Sequence, residues 1–210
     1  MELELLLNMV TRWGHLLFGI TWIGILYYFN FIQGGYFKAA TPEGLADAKA
    51  KLAPSALWWF RWAAMFTFIT GLVLLFGLHK SGGMNSFIAA GAAMGTLMFL
   101  NVWLIIWPNQ KIVLGMVEGD GPAAGAKALL ASRTNTLFSG PMAFAMLASP
   151  HMSGYGAEVG STAMWAVLAI VVALEVNAIV GKQGPMTTVR GVIVSSLILT
   201  AILVTVLLAL

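Results

Sequence analysis

Six apolar runs, near residues 8–32, 57–79, 85–107, 134–150, 161–180 and 188–210, each approach the length that crosses a bilayer. At ~1.5 Å per residue a helix needs roughly 20 residues to cover ~30 Å of hydrocarbon. Lipid offers the backbone no hydrogen-bond partner, so such runs must close their own bonds as helices. With 60% of residues hydrophobic, 9% charged and a mean hydropathy of +0.88, the chain reads as an integral membrane protein. The expected fold class is all-α, a polytopic membrane bundle of about six transmembrane helices forming one domain over residues 1–210. The fourth run is the shortest.

Two polar stretches interrupt the pattern. Lys38 to Lys51, with Glu43 and Asp47 at helical spacing, predicts a surface helix between the first two spans. Pro108 to Arg133, containing Glu118-Gly119-Asp120-Gly121-Pro122, predicts a longer connection between the third and fourth. Six spans place Lys38, Lys49, Lys51, Arg61, Lys111, Lys127, Arg133, Lys182 and Arg190 on one side and only Arg12 and Lys80 on the other. The positive-inside rule makes the first side cytoplasmic and puts both termini outside. The basic pI of about 9.3 follows from that topology and does not point to nucleic acid. The start Met1-Glu2-Leu3-Glu4 lacks the basic region of a cleavable signal, so the first helix is expected to be retained. The absence of cysteine excludes disulfides, iron–sulfur clusters and Cys-x-x-Cys-His attachment of haem.

The first run carries a polar stripe. At ~100° per residue Asn8, Arg12, His15, Gly19, Trp22, Asn30 and Gln33 share an arc roughly 100° wide. Such a stripe faces other helices or a bound group rather than lipid. His15 lies on it with Gly19 one turn on, where a flat cofactor has room to approach. Its plainer reading is a buried histidine bonded to a neighbouring helix. His79 and His151 stand at the outer ends of the second and fourth runs, level with His15 in the expected topology. For His79 an interfacial role needs no ligand; His151 follows Pro150, which fixes the chain at the helix end. No His-x-x-x-His pattern offers a zinc site.

The cytoplasmic half gathers a polar cluster of Asn30, Arg61, Asn101, Asn109, Gln110 and Glu175, with Gln33 and Asn177 nearby. Glu175 lies well inside the fifth run, where a carboxylate is paired, protonated or functional. Arg61, at similar depth, is one candidate partner, and Lys182, two turns beyond Glu175, is a rival. A structural ion pair, or an arginine snorkelling among Trp58, Trp59 and Trp62, explains the same residues without a substrate. Gly91-Ala92-Ala93-Met94-Gly95 is a small-xxx-small pattern, for which close helix packing suffices.

Arg12-Trp13-Gly14-His15, Gly19-Ile20-Thr21-Trp22-Ile23-Gly24 and Tyr28-Phe29 together resemble the first helix of the membrane-bound urate oxidase (urate hydroxylase) family. Trp59-Phe60-Arg61-Trp62 with Thr70-Gly71 resembles that family's second helix. Gly95-Thr96-Leu97-Met98, Asn101-Val102 and Pro108-Asn109-Gln110-Lys111 resemble its Asn-Val…Pro-Asn-Gln signature, and Pro141 through Met146-Leu147-Ala148-Ser149 and His151 its Ser-Asn-His helix. The resemblance covers most of residues 10–152. It departs at Ala63, where the family pattern has a glutamate, and at Ala89 and Thr134, where it has histidines. A weaker likeness, the His-x6-Trp-x-Gly pattern, is shared with haem-binding membrane protoporphyrinogen oxidases and copper-resistance membrane proteins.

The resemblance implies a multi-helix domain that in its relatives precedes a periplasmic cytochrome c domain, here expected to be a separate protein. It implies location in the bacterial inner membrane, and the charge distribution makes both termini periplasmic. It also implies a redox subunit holding b-type haem, with His15 as one axial ligand, His151 the preferred second and His79 the other choice. The activity would be that of an oxidoreductase with electrons leaving towards cytochrome c. The alternative is a non-catalytic accessory subunit of a larger respiratory or oxygenase complex. A small transporter built around Glu175 and Arg61 has less behind it, since no inverted repeat or broken helix is evident.

Overall fold

The computed structural model describes residues 2–152 and 154–209. Those residues form six long helices and no strands. They are α1 Glu2–Ala39, α2 Pro42–Lys80, α3 Ser86–Val113, α4 Gly121–His151, α5 Thr162–Val180 and α6 Val189–Ala209. The expected all-α class and helix order are thus observed. All but α4 are long and apolar enough to cross a membrane, which fits an integral membrane protein. At 31 residues α4 has the length but not the apolarity. It carries Arg133, Thr134, Asn135, Thr136 and Ser139, and every residue from Arg133 to Ser139 is buried. A helix enclosed by protein on all sides can carry side chains that lipid would reject.

The polar connections are shorter than the sequence predicts. The surface helix expected over Lys38–Lys51 instead continues into α2, and only Ala40 and Thr41 separate it from α1. Thr41 starts α2 as an N-cap, its Oγ1 accepting from the Gly44 N–H at 3.2 Å, with Pro42 at the first helical position. In the second stretch α3 runs on to Val113, and α4 begins at Gly121 behind an Asp120 cap that accepts from the Ala123 N–H at 3.0 Å. Asn85, Ser161 and Thr188 cap α3, α5 and α6 in the same way. The backbone widens to π-type turns at Tyr28–Gln33, Ala48–Leu52 and Asn101–Ile106.

The chain forms two compact units. One comprises the chain up to Leu74 with Phe99–Ser132; the other comprises Leu75–Met98 and the chain from Arg133 on. In the first, α1 packs on α2 through Phe18–Phe66 and Phe29–Phe60, with ring centroids 5.1 and 5.4 Å apart. There α2 packs on α3 through the stacked pair Phe68–Phe99 at 4.1 Å and through Trp62–Trp103 at 5.7 Å. Trp22, Leu26, Leu57, Phe60, Ala64 and Val102 are buried in this unit. In the second, Phe87, Met94, Phe138, Val167, Val171 and Val192 are among the buried apolar side chains. There α3 meets α4 at Gly91, where an added Cβ would lie 3.2 Å from Met146 Cγ and 3.3 Å from Ala145 Cβ. The small-residue pattern thus marks a close helix contact.

Candidate functional site

His15 stands half-buried on α1, where its ring meets α2. Its Nδ1 lies 2.9 Å from the Thr67 carbonyl oxygen and 3.1 Å from Thr70 Oγ1. A carbonyl can only accept, so Nδ1 must carry the proton and donate it. The Thr70 hydroxyl donates to the Phe66 carbonyl at 2.6 Å, leaving its lone pairs to face the same imidazole N–H. The neutral form of the ring is therefore the Nδ1–H tautomer, with the lone pair on Nε2. Gly71 closes the cradle: a Cβ there would come within 3.1 Å of His15 Cε1, so any larger residue displaces the ring.

The α1 stripe turns inward as its composition predicts. Asn8 and Arg12 bond each other at its exposed end, with Arg12 Nε donating to Asn8 Oδ1 at 2.7 Å. Further on, His15 is half-buried, and Trp22 and Asn30 are buried. Gly19, expected to leave room for a flat group, instead faces α2, with an added Cβ 3.9 Å from Thr67 Cγ2. The space beside it belongs to the helix that holds His15.

The other two histidines belong to the second unit and are exposed. His79 ends α2. His151 ends α4 beside an apolar recess of about 350 Å³, lined also by Phe144, Leu147, Ala148 and Met152. Among the described residues no three His, Asp or Glu side chains gather as a metal cluster. An iron held here would rest on histidine nitrogens and on a macrocycle of its own.

The polar cluster divides between the units. In the first, Asn30 Nδ2 donates to the Leu26 carbonyl at 2.9 Å and to Ser132 Oγ at 2.8 Å, joining α1 to α4. Asn101 is 1% exposed. Asn30 and Asn101 each lie in a π-type turn, a local widening that often accompanies functional positions in membrane and soluble helices alike. Asn109 bonds its own helix, donating to the Ile105 carbonyl at 2.7 Å, and Gln110 is half-buried next to it. The Arg61 guanidinium lies 4.0 Å over the Trp107 ring, and Lys111 approaches the same indole at 5.8 Å. A cation over an indole face is a stable arrangement in its own right. Glu175 belongs to the second unit, is buried on α5 and is not without a partner. Asn177 and Lys182 meet through the backbone, with Asn177 Nδ2 donating to the Lys182 carbonyl at 3.0 Å.

Sequence reasoning missed Thr67, Thr70 and the placement of Gly71 as the holders of His15. The polar stretch Pro108 to Arg133 predicts a loop charge at Arg133, whereas the residue is buried in α4.

Neither a curated protein nor a solved structure matches this chain. Residues 78–208, more than half of the chain, match the family described as urate oxidase N-terminal. The matched stretch runs from the end of α2 through α6 and includes His79, Asn101, Asn109, Gln110, His151 and Glu175. His15, Asn30 and Arg61 precede it. On this match the chain belongs to the urate oxidase N-terminal family.

Proposed function

We propose that this protein is a redox subunit of the membrane, holding a b-type haem through His15 and passing electrons towards a cytochrome c on the periplasmic side. The observation that carries the reading is the bond from His15 Nδ1 to the Thr67 carbonyl. A histidine that binds a metal through one nitrogen almost always donates the other N–H to a carbonyl or carboxylate, which fixes the tautomer and turns the ring. His15 is arranged in that way, with Nε2 as the available ligand atom. Bound haem would supply one-electron chemistry to a chain that has no cysteine to build such a centre itself. His151, at the end of α4 beside its apolar recess, is the preferred second ligand, and His79 the other candidate.

The test is the visible spectrum of protein expressed with an adequate haem supply and purified in detergent. A Soret band, with resolved α and β bands on reduction, is the expected result. A colourless protein would overturn the reading. It would favour the second one, a non-catalytic accessory subunit of a larger membrane complex. That alternative has one observation behind it: Ala63, where the family pattern has a glutamate, is buried and puts no ionisable group at that position.

Electron delivery to a periplasmic partner requires the orientation read from the Lys and Arg distribution, in the bacterial inner membrane with both termini outside. A C-terminal reporter that is active only in the cytoplasm is expected to stay silent, and one that needs the periplasm to be active. The opposite pattern would place the carboxyl end, and with it the exit for electrons, on the wrong side.

A further inference from the structure

Arg133 is 8% exposed, and its Nε and Nη1 atoms are shut away from the surface without a hydrogen-bond partner among the described residues. It forms no ion pair among them either. A guanidinium stays charged at any accessible pH, so it cannot escape burial by losing its proton. Seven consecutive residues of α4, from Arg133 to Ser139, are buried, so the charge does not stand on an exposed face of that helix. The polar neighbours on the same stretch already have work. Asn135 Nδ2 donates to the Met98 carbonyl at 2.9 Å, and Ser139 Oγ to the Thr136 carbonyl at 2.8 Å. Glu175, the buried acid of this unit, has an interaction of its own. A buried charge with free donors is strongly unfavourable unless something of opposite sign meets it, and ionisable groups retained at such depth commonly mark a ligand site.

We propose that Arg133 anchors an oxyanion, the carboxylate or phosphate group of a ligand received beside α4, with Nε and Nη1 as donors. The planar guanidinium suits such a group better than any other side chain, because its fixed donors match the spacing of two oxygens on one centre. This site is independent of the haem reading and involves none of the histidines. The oxyanion has two sources, a small solute or the headgroup of an anionic lipid.

The experiment separates them. Detergent-purified protein is titrated with inorganic phosphate, and separately with benzoate, at ionic strength held constant with sodium chloride, while thermal unfolding is followed. Phosphorus that co-purifies with the protein is assayed after lipid extraction. A solute site is expected to show a saturable rise in unfolding temperature with one of the two anions. Arg133→Lys keeps the charge but loses the fork and is expected to weaken that response ~10- to 100-fold, the range of one charge-assisted bond. Lys127→Ala, an exposed position on the same helix, should leave it unchanged. A lipid site is expected to show instead a stoichiometric phospholipid that Arg133→Lys loses and Lys127→Ala keeps. Arg133→Met adds a readout independent of any probe. Filling the site with an apolar chain is expected to destabilise a protein purified with its anion. Absence of both anion response and bound phospholipid, an equal response in Arg133→Lys, or Arg133→Met unfolding above the wild type would each overturn the proposal.

Discussion

Replacing His15 by alanine is expected to remove the haem spectrum entirely, while His151→Ala weakens it and His79→Ala leaves it nearly intact. The ranking follows from how each ring is held. His15 is fixed by two acceptors on α2, so its Nε2 has one direction in which to present a lone pair. His79 and His151 are exposed at helix ends, where no hydrogen bond restrains the ring among the described residues. Gly71→Ala is the finer test, since it leaves the ligand in place. The new methyl would fall 3.1 Å from His15 Cε1, so the ring must give by a few tenths of an ångström, which disturbs its bond to the Thr67 carbonyl. Haem retention is expected to fall, with altered reduced bands, although the helix contact itself survives so small an addition. A His15→Ala protein that keeps a full Soret band would remove His15 from the ligand set. Unchanged bands in Gly71→Ala would mean that the cradle merely seats a structural histidine.

The six apolar runs correspond to six helices because the bilayer length requirement leaves little freedom. What hydropathy could not place is instructive. Hydropathy starts the fourth run at residue 134, yet α4 begins at Gly121 and is most deeply buried over Arg133–Ser139. A hydropathy window counts those side chains against lipid contact, but they face protein, where threonine, serine and asparagine find backbone partners. Arg133 fell among the cytoplasmic charges for the same reason. His15 was legible, being a lone imidazole on an inward stripe. Its holders were not. Thr67 contributes a main-chain oxygen from 52 residues away, and no side-chain identity encodes a carbonyl. The Thr67 hydroxyl itself bonds the Ala63 carbonyl at 2.7 Å, the ordinary habit of threonine in a helix. Asn30 was likewise legible as an inward polar residue, whereas its partner Ser132 sits 102 residues on, with nothing in the chain to announce it.

Gly91→Leu is expected to cause the largest loss of stability of any single substitution in the α3–α4 contact, and the reason lies in what surrounds that glycine. An added Cβ would meet Met146 Cγ at 3.2 Å, Ala145 Cβ at 3.3 Å and the Met146 backbone nitrogen at 3.4 Å. The first of these can move a little, but the other two are fixed to the α4 backbone. Alanine at this site therefore presses the helices apart by a few tenths of an ångström. Leucine adds three further carbons with no space to receive them. Overpacking of a tight core costs about 1–3 kcal/mol, and the upper part of that range applies where backbone is the obstacle. Membrane helices gain little from burying apolar surface away from lipid and depend on such close contacts, so the loss has little to offset it. Gly95 is the control from the same pattern. Its Cβ would meet only the flexible ends of Met142 and Met146, at 3.5 and 3.6 Å, and Gly95→Ala should be nearly neutral. Thermal unfolding in detergent, followed by the monodisperse fraction on size exclusion, should rank the wild type and Gly95→Ala together, Gly91→Ala below them and Gly91→Leu far below. A Gly91→Leu protein as stable as the wild type would show that α3 and α4 do not approach as closely as this geometry has them.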